Sequence, residues 1–236
     1  MSEITYTYTI NKLINYAKDV YSQNGEDGIL EEIFKKLNIP VGQFVEFGAW
    51  DGKHLSNTYN LLENRNWSGL YIEYEDDKYK ELEKLNVVYK DRIITVKNKV
   101  DITGENSLDN ILHRHPEIKQ DFDLLSIDID SYDLEIWESL KNYQPKVVII
   151  EVNSFVYPPL ALRHGQIKFE GGYIGSDQGC SFSAVVEVSK KKNYNVVCHT
   201  GNCILVRSDL VGQLGLNHLD INGPNLLFSQ KWEKKL

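Results

Sequence analysis

A chain of 236 residues, 42% of them hydrophobic, is long enough for one α/β domain with a sizeable core and a long insertion. Its net charge of −8 argues against a nucleic-acid backbone as the main partner, because that needs a basic face. No apolar run approaches the roughly 20 residues a membrane helix needs. Cys180, Cys198 and Cys203 are odd in number and lack metal-type spacing, which predicts reduced thiols, no zinc and a soluble, cytoplasmic protein.

The N-terminal Met1–Ile10, with an acidic Glu3 among alternating Thr and Tyr, does not read as a secretory signal. A short extended piece and a helix from Asn11 are expected over residues 1–21. The polar run Tyr21–Gly28 then precedes Ile29, Leu30, Ile33, Phe34 and Leu37, a helical stripe that Pro40 closes. That polar run is either a helix cap or a ligand contact. Phe44–Phe47 reads as a buried parallel strand interrupted by Glu46 and ended by Gly48 and Gly52. Gly48 lets backbone come close to a ligand. The three glycines of a dinucleotide turn are missing here.

A second helix begins near Ser56-Asn57-Thr58, whose side chains can satisfy orphan N–H groups. The second strand, Gly69–Ile72, ends at Glu73, about 20 residues past the glycine turn, where an acid meets a ribose diol. Asp76–Leu85 has the pattern of a surface helix. Ile93–Val100 is the third strand, ending at Asp101, and Ser107–His113 a helix capped by Ser107. The fourth strand, Phe122–Ile127, runs into Asp128-Ile129-Asp130-Ser131-Tyr132-Asp133, and Leu134–Leu140 is helical up to Pro145. The fifth, Val147–Ile150, is followed by Glu151-Val152-Asn153. This alternation implies βαβ units and a parallel sheet.

The rhythm then stops. Ser154–Gly179 is a long connection rich in glycine and aromatics, the size and composition of a lid or binding loop. A helix over Phe182–Lys192 follows, its end solvated by Lys190-Lys191-Lys192, where cations suit the helix dipole. Tyr194–Cys198 and Cys203–Arg207 read as a hairpin. Five parallel strands plus that hairpin form the seven-stranded sheet of the class I methyltransferases. The tail, Leu214–Leu236, predicts nothing.

Asp128 and Asp130 leave one strand two residues apart, and Glu151 and Asn153 leave its neighbour with the same step. Both pairs point to the crevice where open α/β sheets bind ligands. Crowded oxygen donors repel unless a cation or ligand neutralises them, and a hard site suits Mg²⁺, Mn²⁺ or Ca²⁺. The alternative is that Asp130 and Asp133 only cap the next helix.

Ser22–Gly28, Val45–Gly52, Trp67–Glu73, Asp123–Trp137 and Val147–Ser154 together resemble the FkbM-like S-adenosylmethionine-dependent methyltransferases, over roughly residues 21–212. The resemblance implies a Rossmann-like sheet and methyl transfer to a hydroxyl of a sugar, nucleotide-linked or polymeric, or a related natural product. It implies Glu46, Gly48 and Ala49 along the methionine part of the cofactor, Glu73 at the ribose and Asp101 near the adenine. Gln23, Asn57 and Thr58 fall at the cofactor carboxylate or the pocket edge, with Asp128 beside them.

The Asp128-Ile129-Asp130-Ser131-Tyr132 run is also similar to the Asp-x-Asp-x-Tyr of macrocin-type, metal-dependent sugar O-methyltransferases. That likeness implies Asp128 as a ligand for Mg²⁺ or Mn²⁺, with Glu151 and Asn153, and Asp130 as base. Glu151-Val152-Asn153 replaces the adjacent acids of that type. In the loop, Tyr157, Arg163 and His164 are available to bind the acceptor, and His164 is a second candidate base.

The organisation expected is one domain. An N-terminal helical segment and cofactor-edge motif (1–40) precede a core (41–212) with its substrate loop (154–179) and a tail (213–236). The partner expected is a small sugar or sugar-nucleotide acceptor, not a nucleic acid or membrane, with a homodimer as the oligomer to test for. The rivals are a nicotinamide-dependent oxidoreductase and a non-catalytic S-adenosylmethionine-binding module.

Overall fold

The computed structural model describes residues 12–168, 178–216 and 227–228. Its strands are β1 (Gln43–Phe47), β2 (Ser68–Glu73), β3 (Ile93–Lys97), β4 (Leu124–Ile127), β5 (Val147–Glu151), β6 (Tyr194–His199) and β7 (Asn202–Arg207). Its helices are α1 (Glu26–Lys36), α2 (Tyr59–Arg65), α3 (Asp76–Tyr89), α4 (Leu108–His113), α5 (Asp133–Ser139) and α6 (Phe182–Lys191). Short 3-10 turns cover Lys12–Tyr16, in place of the α-helix expected from Asn11, and Val211–Leu214.

The strands form one sheet in the order β3-β2-β1-β4-β5-β7-β6. β1 to β5 pair in parallel, and β7 runs antiparallel between β5 and β6. This is the expected seven-stranded, mostly parallel sheet with a C-terminal antiparallel hairpin. Successive strand residues face opposite sides, and both sides are covered, so the strands read as continuous apolar runs. Val45, Leu70, Leu125 and Val148 pack with α4, α5 and α6. Phe44, Tyr71, Leu124 and Ile149 pack with α1, α2 and α3. Among the described residues no helix is long and apolar enough to cross a membrane. All three cysteines are buried.

Two elements differ from the sequence reading. β3 ends at Lys97, short of the expected Val100, with the Asn98 N–H making a last ladder bond to the Glu73 carbonyl. Lys190 and Lys191 do occupy the last turn of α6, but Lys192 is not solvating it. Its ammonium donates to the Leu140 carbonyl at 2.7 Å and lies over the Trp137 ring. Ser107 caps α4 as expected, accepting from the Asn110 N–H.

Candidate functional site

Strand order reverses between β1 and β4, so their carboxyl ends open the crevice in which such sheets hold ligands. The backbones meet there. A Cβ on Gly48, whose φ is 77°, would lie 1.7 Å from the Asp128 carbonyl oxygen, so only glycine fits. Two adjoining cavities lie on either side and share Gly48, Tyr74 and Ile129.

The first cavity, about 480 Å³, is polar. Gln23, Glu46, Gly48, Ala49, Asn57, Glu73, Asp128, Asp130 and Glu151 all line it. Glu46 and Ser126 are partners in the β1–β4 register. Glu46 is buried and accepts from the Ser56 and Thr58 hydroxyls, the Asn57 N–H and the Ser126 hydroxyl. Burial raises its pKa while those donors oppose the rise. Thr58 is fully buried behind Glu46 and lines neither cavity, so the structure makes it a support rather than a contact. Asn57 gives its amide N–H to Ser126, while its buried carbonyl oxygen Oδ1 has no hydrogen-bond partner.

Glu73 is held by three backbone donors: Trp50 N–H on Oε2 at 2.9 Å, and the Tyr74 and Glu75 N–H groups on Oε1. A carboxylate has about four acceptor positions, so its orientation is fixed with capacity to spare. The second cavity, about 470 Å³, is narrower in chemistry. It is walled by Ile72, Val100, Ile102, Ile136 and the Tyr132 ring, with Asp101 among its polar residues. A long ligand with one polar and one flat apolar end suits the pair.

In the polar cavity, Asp128, Asp130 and Glu151 each offer a carboxylate oxygen, all within 4.8 Å of one another. Burial first, then the charges of Asp133 and Asp130, push Asp128 up to about 8. Burial and Asp128 push Glu151 well up as well. Both acids therefore hold a proton more tightly than ordinary carboxyls unless a cation replaces it. A carboxyl with a raised folded pKa binds its proton more tightly in the folded state. Its contribution to stability is full below the ordinary value of 3.8 and is lost as pH rises through about 8. Chemical denaturation in chelator between about pH 4 and pH 8 should show stability falling, and Asp128→Asn should flatten that fall.

Asn153 does not join the acids. Its Nδ2 donates to the Gln178 carbonyl at 2.9 Å and its Oδ1 accepts from the Phe155 N–H, so its amide is spent on the loop. Arg163 is spent too, forking between Glu135 and Glu138. His164 lies edge-on to Tyr132 at 4.4 Å, with Nδ1 buried and unbonded, but lines neither cavity. Tyr157 packs on Phe228. Residues 169–177 of the expected loop lie outside the described residues.

The Ser22–Gly28 motif is mainly a brace. Asp27 Oδ2 accepts the N–H groups of Val20, Tyr21 and Ser22. Glu26 accepts from Thr200 and Asn202 at the β6–β7 turn, and Asn202 is the register partner of Glu151. Only Gln23 of this motif lines the cavity. The sequence reading missed Trp50, Tyr74 and Lys78 at the mouth. Trp50 sits in a left-handed turn (φ 48°) with the Lys78 ammonium over its ring. An aromatic residue inside a glycine-bounded turn was the available signal.

No protein-family model and no curated protein matches this sequence. Among solved structures, the chain is similar to an S-adenosylmethionine-dependent methyltransferase from Clostridium acetobutylicum, 13% identical, covering 83% of this chain and 95% of that one, TM-score 0.48. It is similar to one from Aquifex aeolicus, 13% identical over 75% and 86% of the two chains, TM-score 0.44. A third is a methyltransferase from Podospora anserina, 13% identical over 79% of each chain, TM-score 0.43. Likenesses this distant say nothing of the reaction this chain performs.

Proposed function

We propose that the chain is an S-adenosylmethionine-dependent O-methyltransferase of the FkbM-like kind, whose acceptor is a hydroxyl of a sugar, a sugar nucleotide or a related natural product. One observation carries this reading: a polar and an apolar cavity joined across Gly48, with an acidic cluster lining the polar one. The cofactor, when bound, supplies a methyl group already activated on a sulfonium. The chain's work is then to align the acceptor oxygen and remove its proton, and alignment alone contributes several kcal/mol.

The polar cavity would take the methionine end, with Asn57 Oδ1 and Gln23 at its edge and Glu73 accepting from the ribose hydroxyls. The apolar cavity would take the adenine beside Asp101. Asp130, the exposed acid of the cluster, would accept the hydroxyl proton. Asp128 and Glu151 have the donor chemistry to hold Mg²⁺ or Mn²⁺, which would lower the pKa of an acceptor hydroxyl.

Calorimetry with S-adenosylhomocysteine and with NAD tests the reading, followed by tritiated methyl transfer onto sugar-nucleotide pools. Tight S-adenosylhomocysteine binding with transfer is the expected result. Tight NAD binding would point to an oxidoreductase instead, and binding without transfer to a non-catalytic module. Glu73→Ala should weaken cofactor binding at least about tenfold, through lost charge-assisted hydrogen bonds. Unchanged affinity in a folded variant would remove Glu73 from the site.

A further inference from the structure

Between the two acids that leave β4 and the start of α5 lies a buried carboxylate with no part in the proposed chemistry, that of Asp133. It is 1% exposed, and it faces Asp128 and Asp130. A buried charge so close to like charges is costly unless its hydrogen bonds repay it.

Those bonds are specific. Asp133 Oδ1 accepts the Ile129 N–H at 2.8 Å, and Oδ2 accepts the Ser131 N–H at 2.8 Å. The two donors stand on either side of Asp130, and both lie ahead of α5. Asp133 therefore does not serve as the cap of α5, whose N-cap is Tyr132. Asp130 between them has a φ of 58°, a left-handed conformation uncommon for a residue with a side chain. The chain just before it is pinned by the Asp128 N–H on the Phe47 carbonyl and by the Asp128–Gly48 contact.

We propose that Asp133 is a positioning residue: it clamps both peptide N–H groups flanking Asp130 and so holds the Asp130 carboxylate beside those of Asp128 and Glu151. Both Asp133 oxygens accept an N–H, the bonding of an ionised carboxylate, and these donors oppose the rise in pKa that burial causes. The inference rests on the proposed role of Asp130 as the proton acceptor in methyl transfer.

Asp133→Asn tests it, because it keeps the volume but can accept from only one side while turning N–H donors toward the other. In transfer assays it should lower kcat about tenfold or more, with cofactor KM and S-adenosylhomocysteine affinity within about twofold. In an Asp130→Asn background it should have no further effect on kcat. Independent, multiplying losses would assign Asp133 a purely structural role and overturn the proposal. A crystal structure of the Asp133→Asn protein with S-adenosylhomocysteine supplies a readout without turnover. Asp130 should leave its left-handed conformation and its carboxylate should part from Glu151; an unchanged turn overturns the proposal. Absence of S-adenosylhomocysteine binding by the parent protein would instead sink the methyltransferase reading, leaving a ligand-free structure to decide the clamp. Should Asp133→Asn not fold, Asp133→Ser, smaller and neutral, takes its place in both assays.

Discussion

Asp130→Asn should lower kcat for methyl transfer about 10²- to 10³-fold while moving acceptor KM little, the pattern of a group that acts in the transition state. The substitution is clean for two reasons. Asn, like Asp, tolerates the left-handed φ of 58° at this position, so the turn that Asp133 braces should persist. The amide keeps an oxygen toward Asp128 and Glu151 but can no longer take a proton. His164→Ala is the comparison. Its ring packs on Tyr132 and lines neither cavity, so its loss should cost less than about threefold in kcat. Steady-state assays with tritiated cofactor decide the matter, and a reversed order of effects would make His164 the base.

What could be read from the chain was whatever depends on local pattern. The apolar run Phe44–Phe47 ended by Gly48, the acid at Glu73, and the paired steps Asp128/Asp130 and Glu151/Asn153 each place residues at a strand's carboxyl end. Topology then brings these ends together, and seven of the nine residues expected to meet the cofactor line the polar cavity. An eighth, Asp101, lines the apolar one.

What could not be read was how each side chain spends its hydrogen bonds, because the partners are remote in sequence. Nothing near Asn153 announces that Gln178 will take its amide, and nothing near Arg163 points to Glu135 and Glu138. Thr58 has the composition of a cap, yet register brings Glu46 and Tyr71 against it, its hydroxyl lying 2.6 Å from Glu46 Oε2 and 3.0 Å from Tyr71. Glu26 belongs to a motif that looks like a cap, and its buried carboxylate instead ties the N-terminal segment to Thr200 and Asn202.

Exhaustive chelation should abolish turnover, and Mg²⁺ or Mn²⁺ should restore it, while S-adenosylhomocysteine binding survives. The separation follows from where the groups stand. Glu46, Gly48, Ala49 and Glu73 come from β1, β2 and the turn after β1, whereas Asp128, Asp130 and Glu151 come from the ends of β4 and β5. Direct Mn²⁺ titration, followed by electron paramagnetic resonance, reads the site without relying on activity. Asp128→Asn should weaken Mn²⁺ at least about tenfold, since it removes a charge from a half-buried ligand. Asn153→Ala should leave Mn²⁺ affinity within about twofold, because its amide faces Gln178 and Phe155 instead. Protonation sets the pH dependence. A cation must displace the proton that burial and like charges hold on Asp128, so affinity should rise with pH up to about 8, with proton release measurable in buffers of different ionisation enthalpy. Full turnover after chelation would end the metal role and leave Asp130, braced by Asp133, to remove the proton alone.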